Sequence, residues 1–442
     1  MSEPLQAIRL GEPRLRFDHS NPTAEHSNPF LGLREHGPYD RTLQETRGAQ
    51  PIRAVVVGPR SAKRQRAAVR DGLVTDRMGS FSRSIRFHFL PDLVIQDVDA
   101  KEEAQTYRRT IAEWLRNAPD KPDMAIVLHR EEEFYRRHAR GRSPYFAAKA
   151  SFLPHQVPTQ SICLEHLEPR NLNRFRTYYV PNILTAIYAK LGGVPWVVAA
   201  GAERPQVTVG VGSTTLGRGP DTRRYIGIST IFRENGSFAL WETTPLHTDP
   251  NKYSSALQKS VVDSIQTFEK KEGRPVERIS CHISGREAGR REIEAVRGAL
   301  AQMPDRNIEA VVIDISDRGV AWLFDASHES LRPESGFLVP LEPSGSPAFL
   351  HTSGRDNSQS RLPVRPLRLT IKAPSPCERW LDEYQHLYDL RWMSWRGVST
   401  AGGPVSVDYP YRMVRLLAGL HDQEGVEAID VLSRFKEEAW FL

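Results

Sequence analysis

Apolar residues are spread unevenly along this chain of 442 residues. The first fifty positions are polar, rich in Pro and Asn, and show no periodic apolar face, so residues 1–49 are expected to form an arm lying on something else. From Ile52 the pattern changes. IRAVVVGPR reads as a buried strand, SAKRQRAAVRDGL as a basic helical stretch and LVIQDVDA as a second strand. A helix over Glu102–Leu115 leads to the strand DMAIVLHR and then to a charged helix over Glu131–His138. Strands alternating with helices predict a parallel, Rossmann-like sheet, here within residues 50–190.

A second unit is expected over residues 191–442. VPWVVAAG and QVTVGVGSTT read as strands, and RYIGISTIF with SFALWETT continues them as an antiparallel meander turned at Asn235–Gly236. An amphipathic helix follows, with Leu257, Val261, Ile265 and Phe268 along one face. Then come the strand ERISCHIS, the helix REIEAVRGALAQM and the strand EAVVIDIS. Three antiparallel strands followed by alternating helices and strands is the order of an RNase H-like fold. HTSGRDNSQSRLP reads as a polar loop. The fold class is therefore α/β throughout, a Rossmann-like domain followed by an RNase H-like one.

Composition changes this picture little. No apolar run has transmembrane length and the start lacks the apolar core of a signal peptide, so cytoplasm is the expected compartment and no membrane partner is expected. Cys163, Cys281 and Cys377 are too few and too scattered for a disulfide framework or a metal cluster. Charge is more suggestive: the net charge of +6 is carried mainly by arginine, and cationic grooves gain affinity for polyanions by releasing counterions. A basic helix is by itself more often a solvated face than a binding site.

The chemistry concentrates between Tyr145 and Lys190. Tyr145 and Lys149 stand four apart in YFAAK and share a helix face; Gln160 follows in VPTQSI; Asn182, Ala186 and Lys190 fall on one side of PNILTAIYAK. A terminal phosphate carries about −1.5 to −2 charges, so two ammonium groups with neutral donors suit it. A tyrosine ring offers the first base of a strand a stacking surface.

Tyr145-x-x-x-Lys149, Thr159-Gln160 and Asn182 through Lys190-Leu-Gly-Gly together resemble the MID-domain pocket of Argonaute proteins, which grips the 5′ phosphate of a guide strand. FLGLREHGPYD (Phe30–Asp40) resembles a segment that precedes this domain in short Argonautes. KLGGVPW, VGVGSTTLGRG…RRYIGISTIF, ISCHISGRE and LRWMSWRGVSTAGGPVSVDYPYRM resemble successive PIWI-domain blocks. The resemblance runs over nearly the whole chain from residue 30 and lacks the N and PAZ domains of long Argonautes, which makes the chain similar to the short prokaryotic members. One departure is Ala186, where many eukaryotic relatives have a further lysine. In prokaryotic relatives a divalent cation held partly by the C-terminal carboxylate often takes that role, which implies Mg2+ (or Mn2+) at the guide phosphate with the carboxylate of Leu442 as a ligand.

The resemblance also implies that the chain does not cut. An RNase H-type site holds two metal ions in a cluster of carboxylates. The aspartates of active PIWI domains correspond here to Gly212 and Ser284, and the last ligand to Tyr411. Glu242 and Asp249 are candidates for the intervening glutamate. Asp314 and Asp317 read as turn formers, His282 as a satisfied core histidine, His155 and Cys163 as too isolated for zinc, and Trp392 and Trp395 as core. Arg136, Arg137, Arg140, Arg142, Arg174, Arg176 and Arg355 are candidate groove cations.

The function implied is that of a guide-binding protein, not itself an enzyme, which pairs a short guide RNA with complementary target DNA. Relatives of this kind act with an APAZ-domain effector protein (a TIR, sirtuin-like or nuclease fusion) in defence against plasmids or phages. Two other readings stay open: a guided RNase H-like nuclease with displaced carboxylates, and an α/β scaffold or regulator that binds no guide.

Overall fold

The structure, a computed structural model, describes residues 6–40, 43, 50–138, 142–199, 205–216, 224–245, 247–284, 290–303, 308–316, 322–352, 365–373 and 377–442. Two compact units emerge, and neither is continuous in sequence. One comprises residues 1–14, 198–394 and 400–415, the other residues 15–197, 395–399 and 416–442. The linear boundaries expected at 49/50 and 190/191 are thus crossed by three returning segments. Pattern reading cannot see such returns, because it follows the chain and compactness follows contacts.

The unit built around residues 15–197 has the expected parallel sheet. Phe87–Phe89, Ile52–Pro59, Met124–His129 and Thr159–Cys163 lie side by side in that order, all parallel, and Leu93–Ile95 joins Ile52–Pro59 farther along its length. Ile52–Pro59 and Met124–His129 are almost wholly buried, as continuous apolar runs in a parallel sheet should be. The helix Ala100–Asn117 lays Tyr107, Ile111 and Leu115 on Val55, Val57, Ala125 and Val127. The basic helix Lys63–Leu73 turns Arg66 and Arg70 inward to the one carboxylate of Asp92, with Arg66 Nε 2.9 Å from it. Much of its charge therefore holds the fold. Residues 15–40, expected as an arm, belong to this unit and include a helix, Pro29–His36, capped by Asn28.

The other unit carries a nine-stranded sheet. One end of it is the predicted meander, Val207–Leu216, Arg224–Arg233 and Phe238–Thr243, all antiparallel, with Gly236 at φ +78° in the turn and Phe238–Thr243 at the edge. Arg278–Ser284 then pairs parallel to Val207–Leu216, and Glu309–Ser316 parallel to Arg278–Ser284. This is the RNase H-like order. Val207, Val209, Val211, Ile279, Cys281 and Ile283 face the predicted stripe Leu257, Val261, Ile265 and Phe268 of the helix Pro250–Glu272. Four strands extend the sheet beyond the prediction: Leu367–Ala373, Ala348–Leu350, Phe337–Pro340 and Ile8–Arg9. VPWVVAAG supplies only a two-residue strand, Val197–Val198. Among the described residues no helix is long and apolar enough to cross a membrane.

Candidate functional site

The local sequence fixes where the two lysines stand. Ser143 caps the helix Pro144–Phe152 by accepting a hydrogen bond from the Tyr145 amide (3.2 Å), and Pro144 opens its first turn. Tyr145 therefore lies in the first turn and Lys149 one turn later on the same face. The strand Thr159–Cys163, held parallel to Met124–His129, brings Thr159 and Gln160 alongside, and the helix Val180–Lys190 ends with Lys190.

Both ammonium groups converge on Thr159. Lys149 Nζ donates to Thr159 Oγ1 (3.3 Å) and to the Trp440 carbonyl oxygen (3.4 Å). Lys190 Nζ donates to the Thr159 carbonyl oxygen (2.8 Å) and to Gln160 Oε1 (2.7 Å). The rings of Tyr145 and Trp440 lie 5.7 and 5.1 Å from Lys149 Nζ. Lys149 is 5% exposed and Lys190 2%, and among the described residues neither has a carboxylate partner. Burial lowers the Lys149 ammonium to about 7. Lys190 falls well below its ordinary value, through burial first and then through repulsion by Lys149 and Arg396. Two buried lysines with no carboxylate partner among the described residues suit an anionic ligand, which would favour their charged form.

Arg396 is the residue the sequence reading missed. It acts electrostatically on Lys190 and on Tyr145, whose phenol is pushed up by burial and by Glu132 and drawn back by the Arg396 guanidinium. More than two hundred positions separate Arg396 from Lys190, and SWRGVST has no local pattern that points to it. The clue is Asn182. Expected among the phosphate ligands, Asn182 instead has its amide engaged at both ends, donating to the Tyr178 carbonyl oxygen (2.8 Å) and accepting from the Val398 amide (2.8 Å). The chain passes so close here that a Cβ on Gly397 would lie 2.3 Å from Asn182 Oδ1. Asn182 is thus a positioning residue for the turn that bears Arg396. Ala186 is buried within its helix.

The other predicted residues divide. Ala439, Trp440 and Phe441 are buried, and the Leu442 amide closes a turn on the Ala439 carbonyl (3.2 Å), so this segment packs beside Lys149. Arg136 and Arg137 are exposed and ion-paired to Glu132 and Glu133 on their own helix. Arg142 and Arg176 are exposed, and Arg174 is exposed with its guanidinium over the Tyr179 ring. Arg140, Arg355, Asp317 and the polar loop from 353 onward lie outside the described residues. His282 is a satisfied core histidine, bonded to Ser406 Oγ (2.6 Å) and Ser280 Oγ (3.0 Å), and Trp392 and Trp395 are core. Cys281 and Cys377 are buried and Cys163 half-buried, all as free thiols. Asp314 lies within the strand Glu309–Ser316 rather than in a turn, and Asp249 caps the helix Pro250–Glu272 through the Asn251 amide (2.8 Å). Glu242 is buried in the strand Phe238–Thr243, opposite Ser229.

The positions expected to replace catalytic carboxylates lie on one part of the nine-stranded sheet. Gly212 is in the strand Val207–Leu216, and Ser284 follows Ile283, the register partner of Val211; the side chain of Ser284 is not among those described. Tyr411 is half-buried in the helix Val405–Glu424, its hydroxyl accepting from Arg415 (3.3 Å). That helix comes down directly on glycine. A Cβ on Gly210 would lie 2.1 Å from the Ser406 carbonyl oxygen, and one on Gly212 2.8 Å from the Pro410 carbonyl carbon. Pro410 has no N–H to offer the Ser406 carbonyl, which is therefore free of the helical ladder where it meets the strand. Backbone occupies the space that a side chain at 212 would need.

Residues 142–418 match the Piwi domain family. The chain is 25% identical over 324 residues to the Piwi protein of Archaeoglobus fulgidus, covering 68% of this chain and 72% of that one. It is 25% identical over 453 residues to the protein argonaute of Cereibacter sphaeroides, covering 93% of this chain and 56% of the other. Among solved structures, Clostridium butyricum Argonaute bound to a guide DNA and a 19-mer target DNA superposes with a TM-score of 0.71 at 14% identity, over 100% of this chain and 55% of that one. The chain thus spans little more than half the length of the larger proteins it resembles. The family match covers well over half of its residues and falls on the sheet and helices described above. The chain belongs to the Piwi domain family.

Proposed function

We propose that this chain holds the 5′-phosphorylated end of a short guide strand at Lys149, Lys190, Gln160 and Tyr145, with Arg396 as a third cation, and presents the guide for pairing with a complementary strand. The observation that carries this reading is the pair of buried lysines, without a carboxylate partner among the described residues, meeting at Thr159 beside an aromatic ring. A phosphate dianion arriving there would replace the long contact from Lys149 to Trp440 with charge-assisted bonds, which are shorter and about twice as strong as neutral ones. Sequence would then be read by base pairing, with the protein reading backbone shape. RNA as guide and DNA as target follow the resemblance to short Argonautes, as does an APAZ-domain effector partner in defence against plasmids or phages.

The expected Mg2+ (or Mn2+) rests on Leu442 alone. The side chains around Thr159 are cationic, the oxygens of Gln160 and Trp440 already accept from ammonium groups, and such a set does not fit a divalent ion. Guide binding unaffected by EDTA would confine the site to its lysines, and loss of binding would restore the carboxylate of Leu442 to the reading.

Cutting forms no part of this function. Glycine at 212, under the Pro410 backbone, offers no ligand and leaves no room for one. The test is twofold. Nucleic acid extracted from the purified chain should be short and 5′-phosphorylated, and a guide-matched target incubated with Mg2+ or Mn2+ should remain whole. Cleavage at a fixed distance from the guide end would establish the nuclease reading instead, and protein free of short strands would favour the scaffold.

A further inference from the structure

A tyrosine stands out on the surface of the parallel-sheet unit, one turn before Asn182. Tyr178 is 67% exposed, unusual for a large aromatic side chain, and belongs to a five-residue π-helical turn, Phe175–Tyr179, inserted just before the helix that ends at Lys190. Its surroundings are cationic. Arg174 and Arg176 in the same stretch are exposed, and Arg77 reaches Thr177 Oγ1 (3.1 Å). The next ring, Tyr179, is already engaged: it stacks on His166 with centroids 4.5 Å apart and planes 26° apart, and Arg174 covers its other side. Tyr178 is the ring left facing outward.

Its position is not loose. The Tyr178 carbonyl accepts from the Asn182 amide, and the same amide accepts from Val398, two residues from Arg396. One side chain therefore fixes the backbone of the aromatic turn and of the cationic turn that reaches toward Lys190 and Tyr145. The π-turn matters because one inserted residue rotates everything before it relative to the helix after it. That separates Tyr178, turned to solvent, from Tyr179, turned to His166.

We infer that Tyr178, flanked by Arg174 and Arg176, is a second contact station for single-stranded nucleic acid, stacking on a base beyond the one at Tyr145 while the arginines follow the backbone. The combination is that of proteins that bind single strands without sequence preference, a cationic track with an exposed ring. This deepens the reading of the lysine site as a 5′-phosphate pocket and rests on it. A second copy of the chain or a protein partner is the competing occupant; three exposed arginines on or bonded to this stretch, Arg174, Arg176 and Arg77, favour a polyanion.

The experiment uses the full chain and two probes, a 5′-phosphorylated 12-nucleotide RNA and the mononucleotide AMP. Tyr178→Ala should weaken the 12-mer by ~5- to 100-fold, the range for losing one base–aromatic stack, and leave AMP unchanged. Tyr178→Trp should restore the 12-mer, and 2-aminopurine should be quenched at one internal position of the bound strand in wild type and not in Tyr178→Ala. Equal 12-mer affinities for wild type and Tyr178→Ala would overturn the inference. Failure of the pocket reading looks different: 12-mers with and without the 5′ phosphate would bind alike, whatever stands at 178.

Discussion

At Lys149 an ammonium group is buried against a hydroxyl, a backbone carbonyl and two aromatic rings. An isolated buried charge is costly, and lysine responds by giving up its proton more readily. Its value near 7 stands against about 10.4 in an unfolded chain. Between those limits the unfolded chain binds more protons than the folded one, so stability of the empty protein should rise with pH from about 7 to about 10. Urea unfolding across that window should show the slope, and Lys149→Met should flatten part of it. Phosphate binding has the opposite sign, because a dianion restores the protons. Affinity for a 5′-phosphorylated strand should fall as pH rises above 7, and calorimetry in buffers of different ionisation heat should show proton uptake. An affinity independent of pH between 6.5 and 9 would remove the buried lysines from the contact.

At the scale of elements, two local devices set the geometry, and each predicts a measurable loss. Asn182 joins two backbone segments that lie far apart in sequence. Asn182→Ala deletes two hydrogen bonds, a cost of about 1–3 kcal/mol, and should weaken phosphorylated strands through displaced Arg396 rather than through a lost ligand. Arg396→Ala in the Asn182→Ala background should then add little; full additivity would show the two act separately. Gly210 and Gly212 let the helix Val405–Glu424 rest on the strand Val207–Leu216. Gly212→Ala should destabilise by about 1–3 kcal/mol through overpacking, read as a lower urea midpoint, and Gly212→Asp should be worse and still not cut. A stable Gly212→Asp protein would show that the helix yields easily.

These devices also mark how much the sequence made legible. Elements governed by their own periodicity stood where expected: the buried runs at Ile52–Pro59 and Met124–His129, the stripe Leu257 to Phe268, and the turn at Gly236. Lys149, Gln160 and Lys190 were legible because helix phase and chain order bring them together within fifty residues. What stayed hidden depended on returning chain. Trp440 reaches Lys149 and Arg396 acts electrostatically on Lys190 from far along the sequence, Ile8–Arg9 pairs with Phe337–Leu338 over more than three hundred residues, and the π-turn at Phe175–Tyr179 has no periodic signature. Asn182 was placed correctly and its role misread, because spacing shows where a side chain lies and not where its hydrogen bonds go.

For the whole molecule, two α/β units woven from discontinuous segments carry different parts of the proposed task. The parallel-sheet unit contains the lysine site and the exposed Tyr178; the nine-stranded unit contains the RNase H-like sheet with glycine where a metal ligand is expected. A formal charge of +6 contributes a salt-dependent background of nucleic-acid binding that any basic protein would show. Specific end recognition must therefore be separated from that background. The most direct measurement compares one RNA with a 5′ phosphate and the same RNA with a 5′ hydroxyl, on wild type and on Lys149→Ala and Lys190→Ala, at fixed salt and pH 7. Wild type should prefer the phosphorylated strand, and each substitution should reduce its affinity for that strand by roughly 10- to 100-fold, the range for a lost charge-assisted bond, while barely affecting the hydroxyl-ended one. Equal affinity of wild type for both ends, or equal losses for both in the variants, would contradict the account.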